Sequence, residues 1–132
     1  MARRIFTYKG KTLEDLQKLT LQEFAKMVPA SARRRLKRGF NPQEKKFVAK
    51  LIASTKEVPK PTVRTHSRDI IITPHMVGAM VAVHSGKEFV AFQIIEQMIG
   101  YRLGEFVSTR RRVQHGAPGI GATKSSLFVP LK

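Results

Sequence analysis

The residues of this chain whose types and spacing could do chemistry are mostly cations, and they fall into groups. Arg33, Arg34, Arg35, Lys37 and Arg38 place five positive charges within six residues. Charges at consecutive positions point around most of a helix, so one face cannot shelter them. Alone they repel one another; against phosphates each can release a counterion. Lys60 precedes a second group, Arg64-Thr65-His66-Ser67-Arg68, in which hydroxyls and an imidazole interleave guanidiniums. That mixture suits phosphate forks from Arg and single hydrogen bonds from Thr or Ser to sugar or phosphate. Arg110, Arg111 and Arg112 open a third group, continued by Lys124 in a tail without an acidic residue. Arg102, between the second and third groups, is counted with them as a polyanion contact.

Catalytic constellations do not emerge. His75 and His84 stand nine residues apart, with no partner at i+4, and the chain has no cysteine. A Cys nucleophile and Cys-ligated zinc are thereby excluded, and a metal site would need distant ligands. Asp69, Glu88, Glu96 and Glu105 show no paired spacing that suggests acid/base work. Gly116 and Gly121 have the separation of a phosphate-binding loop, but Ala122 occupies the Lys position, with no strand leading in and no helix leading out. No enzymatic activity, cofactor or metal is expected.

A formal charge of +16 over 132 residues makes nucleic acid the first candidate partner and anionic membrane the second. The charge is unevenly spread. Residues 1–68 carry +13 and residues 107–132 carry +5, whereas residues 69–106 carry −2. No apolar run approaches the length of a membrane span, and the N-terminus lacks the apolar core of a secretory signal. The expectation is a soluble, cytoplasmic protein with no membrane partner and no homo-oligomer.

These charges need a scaffold. Thr12-Leu-Glu-Asp15 and Thr20-Leu-Gln-Glu23 each set a hydroxyl three residues before a carboxylate, the signal of a helix start. The second helix should turn Leu21, Phe24, Ala25 and Val28 to one apolar face and end at Pro29. The Arg33 group is read as a helix closed by Gly39. Asn41-Pro42-Gln43-Glu44 starts a longer helix, expected to run to about Thr55, whose Phe47, Val48, Leu51 and Ile52 form a stripe for covering a small sheet. Pro59-Lys60-Pro61 forces an extended path, and the second cationic group is read as part of that exposed arm.

The central block then reads as strand 69–73, a turn from Thr73-Pro74 to Gly78, and a hairpin of 79–85 with 88–94 around Ser85-Gly86-Lys87. One more helical turn stops at Gly100. The fold expected is α+β: a small three-stranded sheet with helices packed on one face, plus basic N-terminal helices and an extended C-terminal tail. The division is a basic helical extension over residues 1–40, a core over 41–109 and a basic flexible tail over 110–132.

Several motifs resemble one family. Ser85-Gly86-Lys87, Ile94, Ile99-Gly100, Leu103-Gly104-Glu105-Phe106 and Thr109, at this spacing, are similar to the signature of the small-subunit ribosomal protein S-nineteen family. Arg64-Thr-His-Ser-Arg68 resembles that family's Lys-Thr-Trp-Ser-Arg segment, with His66 where bacterial members carry Trp. Pro74-His-Met-Val-Gly78 and Arg35-Leu-Lys-Arg-Gly39 resemble its Pro-Glu-Met-Val-Gly turn and its Leu-Lys-Lys-Gly segment. The resemblance covers residues 33–115, while residues 1–32 and the tail from Gly116 look like the archaeal and eukaryotic form, nearer the archaeal.

This resemblance implies a structural protein of the small-subunit head on the ribosome. Its implied partners are small-subunit ribosomal RNA, a neighbouring head protein of the S-thirteen family, and tRNA near the aminoacyl decoding region through the C-terminal tail. The alternatives are a free-standing basic nucleic-acid-binding protein and a small nuclease with an assembled His/acid site.

Overall fold

The computed structural model describes residues 5–112. Four helices lead: α1 (Leu13–Lys18), α2 (Leu21–Met27), α3 (Ala30–Arg38) and α4 (Pro42–Ser54). Three short strands follow, β1 (Val63–Thr65), β2 (Met80–His84) and β3 (Phe89–Gln93), with 3-10 turns at Pro74–Met76, Glu96–Met98 and Leu103–Phe106. This is the α+β class expected. The C-terminal stretch read as a tail lies outside the described residues from position 113.

Capping chemistry sets the helix starts. Thr20 opens α2 with a reciprocal box: its backbone N–H donates to Glu23 Oε2 at 2.9 Å, and Glu23 N–H donates to Thr20 Oγ1 at 3.4 Å. Helix α4 begins where Asn41-Pro42 announced it, with Asn41 N–H donating to Glu44 Oε2 at 2.8 Å. Helix α3 closes on Gly39 at φ +79°, a conformation that costs a residue with Cβ strain. Pro29 ends α2 as expected: the helix stops at Met27, Val28 before the proline is extended at φ −83° and ψ 161°, and Pro29 itself becomes the cap residue of α3. Leu21, assigned to the buried face of α2, is 45% exposed, whereas Phe24, Ala25 and Val28 are buried.

The sheet has order β1-β2-β3, with β1 parallel to β2 and β2–β3 antiparallel. Its third strand is not where the β-branched run placed it. Ile70, Ile71 and Ile72 are fully buried, but they make only an isolated bridge, Ile71 with Arg102, and scattered backbone bonds such as Ile72 N–H to Tyr101 O at 2.9 Å. The edge strand is Val63–Thr65 instead, from the segment read as an exposed arm; Val63 pairs with Val81 and Thr65 with Val83.

Two apolar clusters hold the elements. One joins Phe47 and Leu51 of α4 to Val81, Val83, Ile70, Ile72, Met76, Ile94 and Leu103. The other joins Leu16, Phe24, Val28, Ala32 and Leu36 of the first three helices and the residues after them to Ile71 and Ile99. Phe40 and Val77 touch both. The basic N-terminal helices therefore share a core with the central block rather than standing off from it.

Candidate nucleic-acid interface

Alternation along the strands decides which side chains face outward. Val81 and Val83 lie in the core under α4, so Val63, Thr65 and Phe92 point to that side, and Arg64, His66, Ala82, His84, Phe89 and Ala91 point to the other. Thr65, expected to offer its hydroxyl to a polyanion, is instead buried, and its Oγ1 accepts from Ser67 N–H at 3.0 Å. Ser67 is half-buried beside it.

Parallel register places His66 beside His84, and the antiparallel register pairs His84 with Phe89. Three rings meet there: His66–His84 centroids lie 4.5 Å apart, His66–Phe89 5.0 Å and His84–Phe89 4.9 Å. The Arg64 guanidinium carbon lies 5.6 Å from the Phe89 centroid, within cation–π range. Neither His84 nor Phe89 stood among the expected site residues. The hairpin alone could have paired them, but adding His66 required recognising β1.

Arg68 sits behind this group and is committed to the fold. Its Nη1 donates to His84 O at 2.6 Å, and its Nη2 donates to Gly104 O at 2.7 Å and to Val107 O. One guanidinium thus ties the end of β2 to the loop after Leu103. Its five rigidly placed donors make this possible.

The α3 cations divide similarly. Arg33 donates from Nε to Ala25 O at 3.2 Å and from Nη2 to Lys26 O and Val28 O, neutralising the carbonyl end of α2. Arg35 is held by Glu44 and by Gly39 O. Arg34, Lys37 and Arg38 are exposed. An amphipathic cleft of about 600 Å³ runs between α2 and α3, lined by Leu21, Ala25, Lys26, Arg33, Leu36 and Lys37.

The remaining expected residues scatter. Lys60 donates to Gly78 O at 2.9 Å. Arg102, half-buried, pairs with the exposed Asp69 at 2.9 Å. Arg111 pairs with Glu88 at 3.0 Å with side chains 88% and 56% exposed, a contact too solvated to count for much stability. Arg110 and Arg112 are exposed, and Lys124 lies outside the described residues. Among the described residues no group of three or more His, Asp or Glu is placed to hold a metal ion. No helix among them is long and apolar enough to cross a membrane.

The exposed cations of α3 and the outward sheet face that carries aromatic rings and Arg64 thus stand on a framework in which Arg33, Arg35 and Arg68 are already bonded to carbonyls or to Glu44. The sequence model of the family described as Ribosomal protein S19 matches residues 34–115, more than half of the chain, from α3 through the cationic stretch after the last 3-10 turn. The chain therefore belongs to the ribosomal protein S19 family, structural RNA-binding constituents of the small ribosomal subunit.

Proposed function

We propose that the protein sits in the head of the small subunit and braces ribosomal RNA there, acting as a scaffold without catalytic activity. The observation that carries this reading is the segregation of its cations. Arg33, Arg35 and Arg68 are spent on backbone carbonyls or Glu44, whereas Arg34, Lys37, Arg38, Arg64, Arg110 and Arg112 are exposed. Fold and phosphate contact are then served by different residues of the same basic segments. Residues 113–132, through Lys124 and their lack of acidic side chains, are assigned the contact with tRNA near the aminoacyl decoding region.

A neighbouring head protein of the S-thirteen family is assigned to the exposed apolar side of the central block. Supporting this, Tyr101 and Phe106 are 55% and 37% exposed, and Phe106 lies 5.9 Å from both Tyr101 and Phe92, ring centre to ring centre. Exposed aromatics of this kind are common anchors of protein interfaces.

The test is a salt titration of the full chain against an RNA fragment of the small-subunit head and against duplex DNA of equal length. The head RNA should bind more tightly at every salt concentration. Equal affinity would overturn the ribosomal placement in favour of a general nucleic-acid-binding protein.

A further inference from the structure

We infer that His66, Phe89 and Arg64 form a stacking platform for an unpaired nucleobase of the bound RNA, held in position by His84 and Arg68. This rests on the RNA-binding reading above and adds to it a base contact, distinct from the phosphate contacts of the helical cations. The rings stand at one end of the sheet, across its three adjacent strands, on the face away from α4. The next row on the same face is Arg64, Ala82 and Ala91, of which Arg64 and Ala91 are exposed and small Ala82 is buried, so no bulky side chain rises beside the rings on β2 or β3. His66 is exposed and Phe89 is 36% exposed, so apolar ring surface meets solvent on a positively charged protein.

The platform is preorganised. His84 Nδ1 accepts from Gly86 N–H at 3.0 Å, which fixes the imidazole, and Arg68 Nη1 holds the His84 carbonyl at 2.6 Å. Phe89 stands edge-on to both imidazoles, at interplanar angles of 79° and 71°. Arg64 brings the charge that an RNA strand requires, while the nearest carboxylate in sequence to Phe89, Glu88, is paired with Arg111. Bases within an A-form duplex cannot reach such a surface; a looped-out or bulged base can, and it would stack on the rings without regard to its hydrogen-bonding edge.

Stacking and phosphate contact leave different traces in a salt titration, because a ring releases no counterion. With the full chain and a head RNA fragment, the double variant His66→Ala/Phe89→Leu should bind about 10-fold to 100-fold more weakly. Its slope of log affinity on log salt should match the unsubstituted chain. Unchanged affinity overturns the platform, and so does a loss of affinity that comes with a shallower slope. Failure of the unsubstituted chain to bind head RNA would overturn the RNA reading as well, which separates the two failures.

A second measurement does not depend on the double variant folding. The chain has no tryptophan, so His66→Trp creates a single fluorescent reporter on the platform. Saturating RNA should quench its emission; emission unchanged at saturation overturns the proposal.

Discussion

Arg35 donates from Nη2 to both carboxylate oxygens of Glu44, at 2.6 and 2.5 Å, and from Nη1 to Gly39 O at 2.7 Å. Glu44 also caps α4 by accepting from Asn41 N–H. One ion pair thus closes the end of α3 and the start of α4 together. The side chains are 20% and 6% exposed, so the Glu44 carboxylate relies on the guanidinium rather than on water as the partner of its charge.

Removing the guanidinium leaves that carboxylate buried without its partner. Arg35→Ala should cost about 2–4 kcal/mol and lower the melting temperature of the full chain by roughly 10 °C or more. Thermal unfolding followed by circular dichroism checks this. A melt within a degree or two of the parent would show that the pair is dispensable.

The exposed cations of the same helix should behave oppositely. Replacing Arg34, Lys37 and Arg38 together with Ala should leave melting unchanged and weaken binding to head RNA. The slope of log affinity on log salt should become shallower by about two to three, near one for each phosphate deprived of its cation. Because Arg33 and Arg35 are tied to carbonyls and Glu44, a triple replacement of Arg33, Arg34 and Arg35 would mix a folding defect with a binding defect.

Arg68 and Gly104 form a second such unit. A Cβ at Gly104 would lie 2.8 Å from Arg68 Cβ and 3.1 Å from its Nε and carbonyl oxygen. Gly104→Ala should therefore displace Arg68 and cost about 1–3 kcal/mol. Arg68→Lys should also destabilise, by about 2 kcal/mol, since one ammonium cannot reproduce the guanidinium's fork to three carbonyls. Urea unfolding of both variants should show lower midpoints; parental midpoints would contradict the bracing role.

Acid should loosen the first two helices. Hydrogen bonds from the backbone and hydroxyl of Thr20 hold Glu23 below its ordinary 4.5, and bonds from the hydroxyl and backbone of Thr12 hold Asp15 below its ordinary 3.8. Both folded-state values are depressed, so the stabilisation is present above the ordinary values and is lost as pH falls through the lower folded ones. Helical signal should drop in a small step below pH 4.5, and Thr20→Val should reduce that step. A step of the same size in Thr20→Val would contradict the assignment.

Much of this was legible from residue order. Asn41-Pro42 and Thr20 marked helix starts, and Ser85-Gly86-Lys87 marked a hairpin, because caps and turns depend on neighbours in the chain. What was not legible depends on distant partners. Arg64-Thr-His-Ser-Arg68 has the composition of an exposed arm, yet its first residues join a strand because β2 offers an open edge for parallel pairing. Ile70–Ile72 has strand composition but is used for burial. Arg33, Arg35 and Arg68 are chemically equal to Arg34 as phosphate ligands, and only the nearby carbonyls and Glu44 distinguish them. The spacing of Leu103-Gly104 has a physical reason that its pattern did not disclose: Arg68 packs where a side chain would otherwise be.

The most direct test of the account uses the absence of cysteine in the chain. A single cysteine placed by Lys37→Cys or Lys87→Cys can carry an iron chelate that cleaves nearby RNA in assembled small subunits. Both positions should cut the ribosomal RNA within the head, the first beside α3 and the second beside the outer face of the sheet. Cuts outside the head, or no cuts from either position, would contradict the placement of this surface on head RNA.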